Sequence, residues 1–206
     1  MDILILCNGL APSKELLKET CDWADFFIAA DGGANTALSM GIKPDVVIGD
    51  MDSYSPSLED DFKIIEDPDQ YSNDLEKALG LAADKKAQNI MVLGAIGKRV
   101  DQTLKNISVL KQFNKQFKNL IFRDDYGDLK LIESPFSADL EVGTTVSLFP
   151  LSGKVTGIKT EGLMYPLNNE TLENGVKDGS SNEVVSNPVS ISFEKGDLIL
   201  FVGRNI

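Results

Sequence analysis

With 206 residues, 42% of them apolar and 25% charged, the chain is long enough for one large domain or two small ones, each burying a proper core. A net charge of −12 argues against broad contact with a nucleic-acid backbone, and no apolar run approaches the roughly 20 residues that cross a bilayer. The sequence holds no histidine, so any metal must be bound through oxygen, which favours magnesium, calcium or manganese.

Cys7 and Cys21 have no metal-ligand spacing and read as reduced thiols in apolar or helical surroundings. The opening Met1-Asp2-Ile3-Leu4-Ile5-Leu6 carries an acid where a secretory signal carries basic residues, so cytoplasmic residence is expected.

In chain order, residues 3–7 read as a buried strand and residues 13–22 as a helix entered after Pro12. Residues 26–30 form a second strand, followed by Gly32-Gly33 and a helix over 34–40 that Gly41 ends. Val46-Val47-Ile48 is a third strand and residues 63–66 a short fourth. Asn73 caps the next helix with Glu76 three positions on, and Leu75, Ala78, Leu79, Ala82 and Ala83 give it one apolar face. Residues 90–93 are another strand. The following helix is expected to turn Leu104, Ile107 and Leu110 inward, and Leu120-Ile121-Phe122 closes the series. Strand–helix alternation of this kind implies a parallel sheet covered by helices on both faces.

The pattern changes after the turn-rich Asp124-Asp125-Tyr126-Gly127-Asp128. Short strands are predicted at 129–132, 145–149, 155–160, 189–193 and 198–202, with turns between them. That pattern suits a small antiparallel sandwich or barrel, and it places a boundary between residues 1–125 and 126–206.

Ligands of a parallel sheet bind at the carboxyl ends of its strands, and three unusual segments fall there. Asp31-Gly32-Gly33-Ala34-Asn35 puts glycines and a helix start where a backbone can approach a phosphate, though a tight turn would look the same. In Gly49-Asp50-Met51-Asp52-Ser53, two acids two apart follow a hydrophobic strand. On extended backbone they share a face and could reach one metal ion. In residues 94–102, two glycines with Lys98, Arg99 and Asp101 open a helix, a plausible phosphate cradle. It is no P-loop, because the glycine spacing differs and neither Ser nor Thr follows the lysine. Asp74 by itself is an ordinary first-turn acid.

In this order the segments resemble the thiamine pyrophosphokinase family: Asp31-Gly32-Gly33-Ala34-Asn35, Pro44-Asp45 with Gly49-Asp50-Met51-Asp52-Ser53, Asn73-Asp74, and Gly94-Ala95-Ile96-Gly97-Lys98-Arg99-Val100-Asp101. Gly162-Leu163-Met164-Tyr165-Pro166-Leu167 and Gly179-Ser180-Ser181-Asn182-Glu183 resemble its vitamin-binding domain. The resemblance implies an α/β nucleotide-binding catalytic domain with a parallel sheet covered by helices, then an all-β thiamine-binding sandwich. It also implies a homodimer with active sites at the subunit interface. The implied reaction moves the pyrophosphoryl group of ATP, the co-substrate, to the hydroxyl of thiamine, giving thiamine diphosphate and AMP. By position, Asp50, Asp52 and Asp74 would hold Mg2+, while Asp31, Gly32, Gly33, Asn35, Lys98, Arg99 and Gln102 would lie around the nucleotide. Tyr165, Ser181 and Asn182 would line the thiamine pocket. Two positions depart from the family's usual pattern: Gln102 stands where a histidine is usual, and Asn73 where Thr often precedes the aspartate.

In such a reaction magnesium bridges phosphate oxygens, Lys98 and Arg99 stabilise charge on the transferred group, and Asp101 or Asp74 accepts the hydroxyl proton. A pyrophosphokinase acting on another small alcohol, such as a hydroxymethyl pterin, and a non-catalytic nucleotide- or thiamine-binding module are the alternatives. Neither nucleic acid nor membrane is an expected partner.

Overall fold

The computed structural model describes residues 1–54 and 61–204. The chain divides into two compact units, Met1–Asp125 and Tyr126–Ile206.

The first unit runs β1 (Asp2–Leu6), α1 (Lys14–Trp23), β2 (Phe26–Ala30), α2 (Gly33–Ser39), β3 (Val46–Gly49), β4 (Lys63–Glu66), α3 (Asp74–Asp84), β5 (Asn89–Leu93), α4 (Val100–Phe113) and β6 (Asn119–Arg123). Its strands lie side by side in the order β6-β5-β1-β2-β3-β4, every pair parallel. Leu4 and Leu6 pack with Leu16 and Leu17 of α1 and Ala37 of α2. Ile3 and Ile5 alternate to the other face and are equally buried. The helix α3 lies against β1, β2 and β3 and beside α4. Sandwiched between helices, the strands read as continuous apolar runs, which is why their sequences are so plain.

Local chemistry sets the helix starts. Ser13 accepts the N–H of Leu16 at the head of α1, and its own N–H donates to the Asp125 carboxylate at 2.9 Å. Asn73 and Glu76 form a complete capping box at the head of α3. The buried face of that helix carries Leu75, Ala78, Leu79 and Ala82, with Lys77 buried among them and Ala83 only partly covered.

Helix α4 departs from expectation. Its buried residues are Asn106, Val109, Leu110 and Phe113, and Leu104 is 63% exposed, with Ile107 half-buried. Residues three apart fall short of a full turn by about 60°, so a face drawn through Leu104, Ile107 and Leu110 slides around the helix. The true stripe alternates threes and fours and holds one amide, Asn106.

The second unit has β7 (Gly127–Ile132), β8 (Phe136–Ala138), β9 (Thr145–Pro150), β10 (Val155–Glu161), β11 (Asn168–Leu172), β12 (Gly179–Glu183), β13 (Val189–Ser192) and β14 (Leu198–Gly203). They form two antiparallel layers, β12-β9-β14-β7 and β11-β10-β13-β8. Val146, Leu148, Leu198 and Leu200 of one layer meet Ile158, Leu172, Val189 and Ile191 of the other in one core, so the unit is a sandwich. The strands β8, β11 and β12, absent from the sequence reading, all lie at the end of a layer. End strands bury little and carry polar side chains, as in Asn168-Asn169-Glu170, so no alternation announces them.

Leu79 is fully buried against the sheet. Its replacement by alanine is expected to lower stability by about 3 kcal/mol, seen as a lower urea midpoint at unchanged slope. A loss under about 1 kcal/mol would contradict the packing described.

Candidate active site

The strand order turns back between β1 and β5, so the loops leaving those two strands part and open a crevice. A cleft of about 540 Å³ lies there. The loops after β1, β2, β3 and β5 line it, together with the start of α3.

One wall is acidic. The parallel register places Ala30 opposite Ile48, so Asp31 and Gly49 leave the sheet side by side, and the Asp31 N–H donates to the Ile48 carbonyl at 2.8 Å. Carboxylate oxygens of Asp31, Asp50 and Asp52 lie within 4.8 Å of one another. Asp31 is 2% exposed and accepts the N–H of Tyr54 at 3.1 Å. Gly49 is needed here because a Cβ would stand 2.7 Å from the Asp31 Cβ and 3.0 Å from a carboxylate oxygen of Asp74. Without a side chain at that position, Asp74 can approach the other three.

The charge of this wall shows in its titration. Burial, then the carboxylate of Asp31, pushes the Asp74 acid up to about 6; Lys77 pulls the other way, and Asp50 and Asp52 add to the rise. Asp50 moves down, chiefly through the hydrogen bond from Gln70, whose amide donates to it at 3.1 Å. An all-oxygen trio of this spacing has the donor chemistry of a hard divalent cation. The metal set expected from position was Asp50, Asp52 and Asp74. The geometry joins Asp31 to the first two and leaves Asp74 facing them.

The other wall is basic. Lys98 and Arg99 line it with Gln102. The Lys98 ammonium donates to the Asn8 side-chain carbonyl at 3.2 Å, and Thr103 fixes the turn, accepting the Gly97 N–H and donating to the Arg99 carbonyl, both at 3.1 Å. Asp101 pairs with Arg99, which holds its carboxyl below the usual range, and it does not line the cleft.

Three of the expected nucleotide residues have a scaffold role in the structure. A Cβ on Gly33 would lie 2.1 Å from the Leu6 carbonyl oxygen, and one on Gly32 2.3 Å from the Asn8 amide nitrogen. These glycines let α2 start hard against the end of β1, and neither lines the cleft. Asn35 donates to the Ser53 carbonyl at 2.8 Å and so clamps the acidic loop; Ser53 in turn donates to Asp52 at 2.8 Å.

In the second unit, Asn182 donates to the Tyr165 carbonyl at 2.8 Å and accepts the Tyr165 N–H at 3.0 Å. Ser181 stands beside it with left-handed backbone, its N–H bonded to Ser147. Asn182 thus braces the turn that presents the exposed Tyr165 ring. Cys7 and Cys21 are free thiols, and burial raises both, Cys21 to about 11.

Residues not singled out from sequence also reach the cleft. Lys77 is buried, donates to the Asp67 carbonyl at 2.8 Å and stands 3.8 Å from Asp74. Its i,i+3 spacing from Asp74, inside an apolar stripe, was the available signal. Asn8 follows β1 at the switch point, and Asn106 interrupts the apolar face of α4.

Comparison with known proteins adds the family. Residues 17–122 match the family described as thiamin pyrophosphokinase, catalytic domain, and residues 134–198 match thiamin pyrophosphokinase, vitamin B1 binding domain. Among solved structures, thiamine pyrophosphokinase from Bacillus subtilis is similar at 24% identity and TM-score 0.84, with all of both chains covered. Thiamin pyrophosphokinase from Candida albicans is similar at 21% identity and TM-score 0.85, covering 99% of this chain and 89% of that one. The yeast enzyme gives 20% identity and TM-score 0.84, covering 98% and 86%. At such identities these likenesses speak for the fold. No sequence match to the chain is found among curated proteins. With catalytic and vitamin-binding matches in this order, the chain belongs to the thiamin pyrophosphokinase family.

Proposed function

We propose that the chain transfers the pyrophosphoryl group of ATP to the hydroxyl of thiamine, releasing AMP, with magnesium held at the acidic wall. The observation that carries this reading is one cleft with opposed walls: Asp31, Asp50, Asp52 and Asp74 on one side, Lys98 and Arg99 on the other. A triphosphate needs both, because direct contact with four carboxylates would repel it. Bound magnesium would offset phosphate charge next to Asp31, Asp50 and Asp52. The chain's own cations then have a separate task. Lys98 and Arg99, on a turn fixed by Thr103, bind and orient the group that moves. Gln102, in the place of the family's usual histidine, can donate a hydrogen bond to a phosphate but carries no charge. Of Asp101 and Asp74, only Asp74 lines the cleft, which favours it as acceptor of the hydroxyl proton.

Thiamine is assigned to the second unit, around Tyr165, Ser181 and Asn182. The reading further includes a homodimer resident in the cytoplasm. Among the described residues no helix is long and apolar enough to cross a membrane, and the net charge of −12 opposes a nucleic-acid partner.

Purified chain given thiamine, ATP and Mg2+ should form thiamine diphosphate and AMP in equal amounts, and a hydroxymethyl pterin should not replace thiamine. Tight ATP binding with no AMP would make the chain a binding module instead. Asp52→Asn should cut turnover on the order of a hundredfold or more at saturating magnesium while the melting temperature hardly moves. Near-normal turnover in that variant would remove Asp52 from the metal site.

Asp74 gives a pH test in the metal-free protein. Its folded-state value, about 6, lies above the ordinary 3.8, so the ionised form is penalised above about pH 6 and the penalty fades as pH falls toward 4. Asp74→Asn should therefore stabilise the metal-free chain at pH 7.5. The gain is about 1 kcal/mol, after discounting for the exposed third of the side chain. The advantage over wild type should shrink steadily to pH 4. Melting curves whose difference stays flat across that range would refute the raised Asp74 acid.

A further inference from the structure

A buried amide in a helix interior has a poor reason to exist unless its hydrogen bonds do something. Asn106 sits on the apolar face of α4 with Val109, Leu110 and Phe113, where a leucine would pack as well and suit the helix better. Its amide nitrogen donates to the Ala95 carbonyl at 2.7 Å, and its carbonyl accepts from the Asn73 amide at 2.8 Å. Asn73 is the N-cap of α3, accepting the Glu76 N–H at 3.0 Å, and its N–H returns to the Glu76 carboxylate at 2.9 Å. Glu76 is also tied to Lys105 of α4 at 2.9 Å.

This chain of bonds joins the two walls of the cleft. At one end is Asn73, adjacent to Asp74; at the other is Ala95, in the turn that leads to Lys98 and Arg99. The turn is held from its other side as well, since Gly9 and Leu10 donate their N–H groups to the carbonyls of Gly94 and Ile96, both at 2.8 Å. We infer that the Asn73–Asn106 amide pair is a positioning device that fixes the span between the acidic wall at Asp74 and the basic turn at Lys98. Capping alone would be met by serine or threonine at position 73. The amide adds a second, donating arm, which is the one that reaches Asn106. A pair bonded to both neighbouring elements in this way favours one geometry over several.

The inference rests on the function proposed above, and its test is arranged to fail separately. Asn73→Ser keeps the cap and removes the arm, so the melting temperature should stay within roughly 2 °C of wild type. Asn106→Leu removes the other partner and keeps the volume of the site. In metal-free protein, hydrogen exchange at residues 94–98 should quicken at least severalfold in both variants, while the amides of β5 and of Val109 and Leu110 keep wild-type rates. Turnover should fall roughly tenfold in each, with the KM for thiamine little changed, because misplacement of reacting groups acts on the chemical step. Combining the two substitutions should cost no more than the worse one alone, since both cut the same link. Wild-type exchange at 94–98 in Asn73→Ser, or turnover losses that multiply in the double variant, would overturn the inference. If wild type releases no AMP, the functional reading falls, and the exchange rates alone decide the positioning role. Should Asn106→Leu not fold, Asn73→Ser decides both measurements.

Discussion

Carboxylates repel one another, and the sheet of the first unit forces four of them together. Parallel pairing of β2 with β3 puts Asp31 beside Gly49, the residues just after β3 bring Asp50 and Asp52 close to Asp31, and the capped start of α3 adds Asp74. At 4 to 5 Å in a partly buried site, like charges cost several kcal/mol if left unopposed. Burial first, and then the carboxylate of Asp31, raise the Asp74 acid to about 6. Much of the neighbouring structure can be understood as what holds the group in place against it. Asn35 clamps Ser53, Gln70 donates to Asp50, Tyr54 donates its N–H to Asp31, and the buried Lys77 stands near Asp74. Proteins keep such crowding where a cation relieves it, and the all-oxygen donor set favours a hard one.

The basic side is built by different means. Its cations are few and mobile in principle, so the backbone beneath them is fixed: Gly9 and Leu10 pin one edge of the turn, Thr103 the next, and Asn106 a third. Lys98 takes left-handed backbone within that frame, with its ammonium resting on Asn8. The result is an acidic wall with the donor chemistry of a hard cation and a basic wall, facing each other across the switch point of a parallel sheet. Such a pair suits a polyphosphate better than a ligand of uniform charge.

How much of this could be read in advance depends on the range over which each feature is decided. Residues 26–30 and 63–66 were legible as strands to the residue, because abrupt steps between apolar and turn residues are local events. The capping box at Asn73 and Glu76 was legible for the same reason. Asp50 and Asp52 stood out because they follow Val46-Val47-Ile48 so sharply. The joining of Asp31 to them was not legible, since it depends on which strands become neighbours. The scaffold contacts of Gly32, Gly33 and Asn35 with Asn8, Leu6 and Ser53 were not legible either, because they are made across the fold. Leu104 was misplaced by a spacing that drifts around the helix, and β8, β11 and β12 were hidden because strands at the end of a layer have little to bury.

In the proposed function one cleft gathers a metal on its acidic wall and a triphosphate against its basic wall. A crystal structure with magnesium, thiamine and a non-hydrolysable ATP analogue measures this directly. A magnesium ion is expected within about 2.0–2.1 Å of carboxylate oxygens drawn from Asp31, Asp50, Asp52 and Asp74, with phosphate oxygens between it and Lys98 and Arg99. A triphosphate bound away from these residues, or a metal held elsewhere, would contradict it.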